Sequence, residues 1–365
     1  MARPMVGGVG AVAAAAGEVP VGFVPCSTSW TSATAGWVLG FVPEKSDEAE
    51  PAQHPVLLQT ETAGLSWQQV PAPPVGLPPT GEQVRVFFAN PTDGLITDGS
   101  RLFATYDAGV QWQPVVLPGA VGPVAVGAID SNLRFVYVIV SSGTDAAPWT
   151  ALYSSPVHRS AWAAAKGVAV PGRGVPAGGG WDVAARGASA QVALGVVFES
   201  SRYWVAADGQ TWREHPAPGP IEARVDLDSV PSGDVEVPDG VFALVSSNPG
   251  RGFMTKEMLS TLDGRPFESR GPAPDAGITT GFAAGGPAVA AVGAVGAGAS
   301  YLHSTVDSGQ SWQTTLTLTP DVPLYDLAFT DTRHATMLAG GPGWPEAAVY
   351  RSTDAGRTWA RLALS

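Results

Sequence analysis

Apolar and alternating runs of four to six residues, separated by turn-forming pairs, succeed one another along most of the chain, and they come in fours. Between residues 84 and 117 the runs are 84–89, 94–97, 102–106 and 112–117, parted by Asn90-Pro91, by Asp98-Gly99 and by a polar segment opening on Asp107. Near the C-terminus the runs 324–329, 335–338, 347–352 and 359–364 follow the same order. Runs this short, rich in Val, Leu and Phe and bounded by Gly, Pro, Asn and Asp, predict β-strands joined by tight turns. Each unit therefore holds four strands and three turns.

The third turn of each unit carries a recurring octapeptide. Ser352 to Trp359 reads S-x-D-x-G-x-T-W, with Asp354, Gly356 and Trp359 in the fixed places. Thr305 to Trp312 repeats it with Asp307, Gly309 and Trp312, and Thr105 to Trp112 with Asp107, Gly109 and Trp112. Weaker copies fill the gaps. Thr60 to Trp67 has Thr62 in place of the acid; Val205 to Trp212 keeps Gly209 and Trp212 but moves the acid to Asp208. Ser260 to Phe267 has Asp263 and Gly264 and ends on Phe267, and Ser155 to Trp162 retains only its ends. The closing aromatics are spaced by 45, 50, 50, 55, 45 and 47 residues. A period near 50 with four strands per period predicts an all-β fold, a single seven-bladed β-propeller over residues 20–365 with four antiparallel strands per blade. The chain begins at an inner strand and ends at an outer one, so the ring is expected to close without strand exchange.

The octapeptide has a physical logic of its own. Its Asp accepts hydrogen bonds from turn N–H groups, its Gly takes positive φ, its Ser or Thr hydroxyl ties the hairpin ends, and its Trp packs beside neighbouring strands. All of these residues are expected to determine the fold rather than to form a site.

These turns resemble the Asp-box, or BNR, repeats of sialidases, some xyloglucan hydrolases, sortilin-type receptors and the photosystem II assembly-factor family, and the resemblance spans residues 20–365. With Gly36-Trp37-Val38-Leu39-Gly40 the form looks closest to the sialidase-like, assembly-factor-like proteins of bacteria. The resemblance implies a propeller and leaves function open, because those relatives include enzymes and binding proteins. Sialidases use an arginine triad, a tyrosine nucleophile backed by glutamate, an aspartate acid/base and an early Arg-Ile-Pro segment. Here Phe23-Val24-Pro25 has Val24 where that arginine belongs, seven marks replace six blades, and the length does not admit the two propellers of the xyloglucan hydrolases.

Composition narrows the partners. Gly 45 and Pro 33 favour turns over helices, and only 14% of residues are charged, with a net charge of −12. Nucleic-acid binding needs clustered cations and is disfavoured. One cysteine, Cys26, precludes an internal disulfide and a thiolate metal cluster, and is read as a small core residue. No apolar run reaches the ~18 residues of a membrane helix. Arg3 followed by the Gly/Ala-rich stretch 5–16 imitates a signal peptide without leucine, so residues 1–19 are read as a flexible tail or an export-segment remnant. That reading favours an extracytoplasmic location over a cytoplasmic one. Gly8, Gly10 and Ala13 match a dinucleotide fingerprint, but neither a preceding strand nor a βαβ pattern supports it.

Candidate chemistry is sparse. Asp226, Asp228, Asp234, Glu236 and Asp239 cluster before a strand of the fifth blade and could offer oxygen ligands to calcium, but they lack EF-hand spacing and are read as a solvated loop. Glu44, Asp47, Glu48 and Glu50 form an acidic insertion of the first blade. His54, His158, His215, His303 and His334 show no metal-ligand spacing and are read as turn or surface residues. No carboxylate pair, G-x-S-x-G elbow or phosphate loop stands out. The expectation is a monomeric, non-catalytic binding or assembly propeller for a protein or carbohydrate partner, without metal or cofactor. The alternative is a divergent sialidase-like glycoside hydrolase.

Overall fold

The short apolar runs pair as expected, each repeat forming a four-stranded antiparallel sheet from strands consecutive in the chain, and seven sheets result. The computed structural model describes residues 19–44, 53–77, 84–120, 124–142, 149–168, 181–187, 189–194, 202–219, 223–229, 240–247, 254–262, 265–341, 344 and 346–364. Every element among them is a strand. The chain folds as a seven-bladed β-propeller.

The first strand of each blade is innermost: Val24–Trp30, Arg85–Phe88, Val124–Ser131, Trp181–Arg186, Arg224–Ser229, Ile278–Gly286 and Leu324–Phe329. Second strands such as Gly94–Thr97 and Ala335–Ala339 are buried throughout, because neighbouring blades cover both faces. The outer strands are the weak point of strand prediction. The runs 112–117 and 359–364 contribute only Gln113–Pro114 and Ala360–Arg361 to the sheets. One further backbone bond follows each, Val115 N–H to Leu102 O at 2.8 Å and Leu362 N–H to Val349 O at 2.8 Å, and Leu362 and Leu364 join the apolar cluster that contains Trp67 of the first blade. In the second and seventh blades such short polar outer strands leave little edge for another chain to extend, whereas those of the fifth and sixth, Glu268–Ala273 and Gln313–Leu318, run to six residues.

The hydrophobic cores lie between blades. Trp37 of the first blade stacks on Phe88 of the second with ring centroids 3.8 Å apart and planes 6° from parallel. Tyr137 of the third blade meets Trp212 of the fourth edge-on at 6.0 Å and donates its hydroxyl to the Gly209 carbonyl at 2.8 Å. Cys26 is partly buried against the core of blades one and two, and burial, then the charge of Asp326, push its thiol well above the usual range. The ring closes without strand exchange. Arg351 of the last blade donates to the Ala63 carbonyl at 2.6 Å and to that of Ala33, with its guanidinium 5.4 Å from the Trp30 ring centre. Trp67 Nε1 donates to Ala363 O at 3.2 Å.

The recurring octapeptides form the hairpins between third and fourth strands. In the last, Ser352 Oγ donates to Asp354 Oδ1 at 2.8 Å and accepts the Gly356 N–H at 2.9 Å, while Asp354 accepts the Thr358 N–H at 2.9 Å and hydroxyl at 2.7 Å. Asp307 and Asp107 repeat the arrangement. Thr62 Oγ1 takes the acid's place in the first blade, accepting the Ser66 N–H at 2.9 Å. Asp208 makes a tighter turn that accepts Gln210 N at 2.9 Å and Thr211 N at 2.6 Å. Positive φ extends over two residues rather than the glycine alone, as at Ala355 (66°) and Gly356 (79°). The glycine also seats the hairpin on the preceding blade: a Cβ at Gly309 would lie 2.6 Å from Met258 Cε. For Asp354→Ala we expect a loss of about 1 kcal/mol in stability, read as a lower midpoint in chemical denaturation. An unchanged midpoint would mean that the acid serves something other than the turn.

Asp263, Gly264, Asp234, Glu236, Asp239, Asp47, Glu48, Glu50 and residues 1–18 lie outside the described residues.

Candidate functional site

The innermost strands surround a central channel whose cavity measures about 930 Å³. One end is bordered by hairpins joining first and second strands, through Thr31, Asn90, Asn132 and Thr330, and by His158 from the third blade. Of the described octapeptide residues only Val157 and His158, from the degenerate copy in the third blade, line it.

Four carboxylates stand on the channel wall, Asp130, Asp182, Asp228 and Asp326, each from a different blade. This corrects the reading of Asp226 and Asp228 as part of a solvated loop. Alternation along the strand Arg224–Ser229 sends Val225 and Leu227 into the core shared with the fourth blade, which turns Arg224, Asp226 and Asp228 to the other face. There Arg224 grips Asp226 Oδ1 through Nε at 2.9 Å and Nη2 at 2.6 Å, and donates to Thr279 O at 2.9 Å.

Each wall carboxylate joins its blade to the next. Asp130 Oδ2 accepts the Ala185 N–H at 2.7 Å, Asp182 Oδ2 that of Leu227 at 2.7 Å, Asp228 Oδ2 that of Ala284 at 2.7 Å, and Asp326 Oδ2 that of Thr28 at 2.8 Å. The other oxygen of the first three accepts the following residue's N–H, from Ser131, Val183 and Ser229. Between blades one and two serines do the same work: Ser27 Oγ accepts Val86 N at 3.0 Å and Ser29 Oγ accepts Phe88 N at 2.8 Å. Between two and three the polarity reverses, Arg85 Nη1 donating to Gly127 O at 2.7 Å. Blades six and seven meet by close packing, with Gly285 so near Phe329 that a Cβ would lie 2.6 Å from the ring.

Burial sets the charge of this wall. It pushes Asp130 up to about 7, reinforced by the charge of Asp228, and Asp228 up to about 6. Burial and the neighbouring Asp226 hold Asp182 well above the carboxylate range, and burial raises Asp326. Arg186 counteracts the rise at Asp130 and Asp228, and Arg85 that at Asp326.

The histidines divide. His158 and His334 sit in turns against Asp93 and Asp331, His215 ends an outer strand and His54 is exposed near Glu44, 3.7 Å away. His303 departs from the expectation, being 2% exposed on the third strand of the sixth blade. Burial, then Lys256, push it down to about 4. Among the described residues no group of three His, Cys, Asp or Glu is arranged to hold a metal, and no helix is long and apolar enough to cross a membrane.

The search against family models matches none, and no curated protein matches. Solved structures do match. An ulvan lyase of a polysaccharide-lyase family superposes with a TM-score of 0.56 at 10% identity, over 94% of this chain and 98% of that one. A puromycin-hydrolysing peptidase of Mycobacterium tuberculosis gives 0.51 at 15% identity, over 94% of this chain and 56% of that one. A Hadza microbial sialidase gives 0.45 at 13%, over 93% and 66%. The likeness is one of fold.

The inner-strand acids are the part that reading from the octapeptides missed. A signal existed, since Asp130, Asp182, Asp228 and Asp326 each precede their blade's closing aromatic by about 30 to 40 residues and so share the phase of the repeat.

Proposed function

We propose that the chain is a non-catalytic recognition propeller that binds a carbohydrate at the mouth of its central channel. The observation that carries this reading is the engagement of the channel carboxyls. An acid, base or nucleophile must change its protonation or bonding during turnover, and at Asp130, Asp182 or Asp228 that change would fall on an oxygen already holding a backbone N–H. Those bonds hold each carboxyl between two blades, a structural duty that leaves it little freedom to move toward a substrate. The channel also offers what a hydroxyl-rich ligand requires, a polar cavity bordered by hydroxyls, two amides and an imidazole at fixed positions. Loops presented by a rigid ring suit recognition.

The fold neighbours do not select a substrate, because at their identities they include a lyase and a peptidase on one scaffold. A hydrolytic reading has one observation in its favour: Asp130 near 7 and Asp228 near 6 lie where a general acid would titrate. Purified protein is expected to release no fluorophore from a sialoside or a panel of aryl glycosides and to be retained on a glycan array. Hydrolysis abolished by Asp130→Asn with the fold intact would replace this reading with the hydrolase. A blank array would move it to a protein partner.

A further inference from the structure

In the third blade the turn between third and fourth strands keeps only the ends of the octapeptide, and it holds a histidine in a conformation that other blades give to small residues. His158 has φ 65°, the left-handed region occupied by Ala108 and Gly109 or Ala355 and Gly356 in the corresponding turns. Residues other than glycine are uncommon there, and histidine is among those that adopt it most readily. The ring is not needed to fix the turn, because the backbone already does so: Val157 N–H donates to Arg134 O at 2.9 Å, and His158 N–H donates to the Asp93 carboxylate.

The ring has its own support. Asp93, 3% exposed, reaches across from the second blade and receives His158 Nδ1 at 3.1 Å while also accepting the Thr92 hydroxyl at 2.9 Å. A carboxylate can only accept, so Nδ1 carries a proton, and in the neutral form of the ring the lone pair lies on Nε2. The side chain is 68% exposed and lines the channel mouth. Among the described residues no protein group is bonded to Nε2. A buried acid thus orients an imidazole whose other nitrogen faces open space beside a 930 Å³ cavity.

We propose that Nε2 of His158 accepts a hydrogen bond from a ligand hydroxyl and is a specificity-determining residue of the channel mouth, with Asp93 its positioning residue. This rests on the carbohydrate reading above. The probe is the free oligosaccharide that a glycan array retains most strongly, titrated calorimetrically against the wild type, His158→Gly and His158→Ala. For His158→Gly the expected melting temperature is no lower than that of the wild type, since glycine tolerates positive φ. Its Kd is expected to weaken roughly fivefold to tenfold, the size of one net hydrogen bond. Long-range 1H–15N spectra of the free wild type at pH 8 should show Nε2 unprotonated, and its resonance should move on saturation with the oligosaccharide. Unchanged Kd in both variants overturns the proposal, as does a free protein with the proton on Nε2, and in either case the carbohydrate reading survives. A blank array removes that reading and this inference together.

Discussion

Replacing Lys256 with methionine is expected to destabilise the protein by roughly 3 kcal/mol, because it leaves three carbonyl oxygens, that of Gly277 buried and the others partly so, without their donor. Lys256, on the third strand of the fifth blade, is 3% exposed. Its ammonium donates to the carbonyls of Pro274 at 2.9 Å, Ala276 at 3.2 Å and Gly277 at 2.9 Å. These three belong to the segment that leaves the fifth blade and enters the sixth, so one cation gathers the connection between two blades. Burial pushes the lysine down to about 8, with Asp275 opposing. Methionine fills similar volume, which isolates the loss of the donors from the loss of packing. Urea denaturation followed by tryptophan fluorescence reads the effect. A midpoint equal to that of the wild type would show that the three carbonyls find water or relax without cost.

Lys256 illustrates what the sequence could and could not reveal. The octapeptides and the fourfold strand pattern made the architecture legible, since turn chemistry and period are properties of neighbouring residues. The second strand of the second blade, Gly94–Thr97, and the first strand of the last blade, Leu324–Phe329, have the boundaries expected from their apolar runs. The site was less legible, because its parts meet only when the ring closes. Asp326 and Thr28 are bonded across 298 positions, and nothing local to either residue marks the other. Asp228 sits among acids that suggest a loop until alternation with Val225 and Leu227 is weighed. His158 looked like an ordinary turn residue, and its partner Asp93 belongs to a different blade. Lys256 and His303 were unremarkable in a list of scattered charges, yet both are buried in the fifth and sixth blades, where a carbonyl cluster and a neighbouring cation define them.

The protein is expected to be more stable at pH 5 than at pH 8. A carboxyl whose folded pKa is raised binds a proton in the folded state over a range where the unfolded chain has already lost it. Its contribution is therefore fully present below about pH 4, the unfolded value, and is lost as pH rises through the folded value. For Asp228 that value is about 6 and for Asp130 about 7, while Asp182 and Asp326 shift in the same direction. The window thus runs from pH 4 to 7, and each of the first two groups contributes roughly 2 to 4 kcal/mol across it. His303, pushed down to about 4, opposes with a single group between there and its ordinary value. Turn acids such as Asp208, held near 2 by Thr211, act only as pH falls below the window. Urea midpoints at pH 5 and pH 8 measure the difference. Asp130→Asn retains an acceptor for the Ala185 N–H and cannot ionise, so it should flatten the profile while keeping the fold. A wild-type midpoint that rose from pH 5 to pH 8 would mean that the channel carboxyls are ionised in the folded ring. The backbone N–H groups they receive would then outweigh burial, and the channel would present a fixed negative wall to its ligand at every physiological pH.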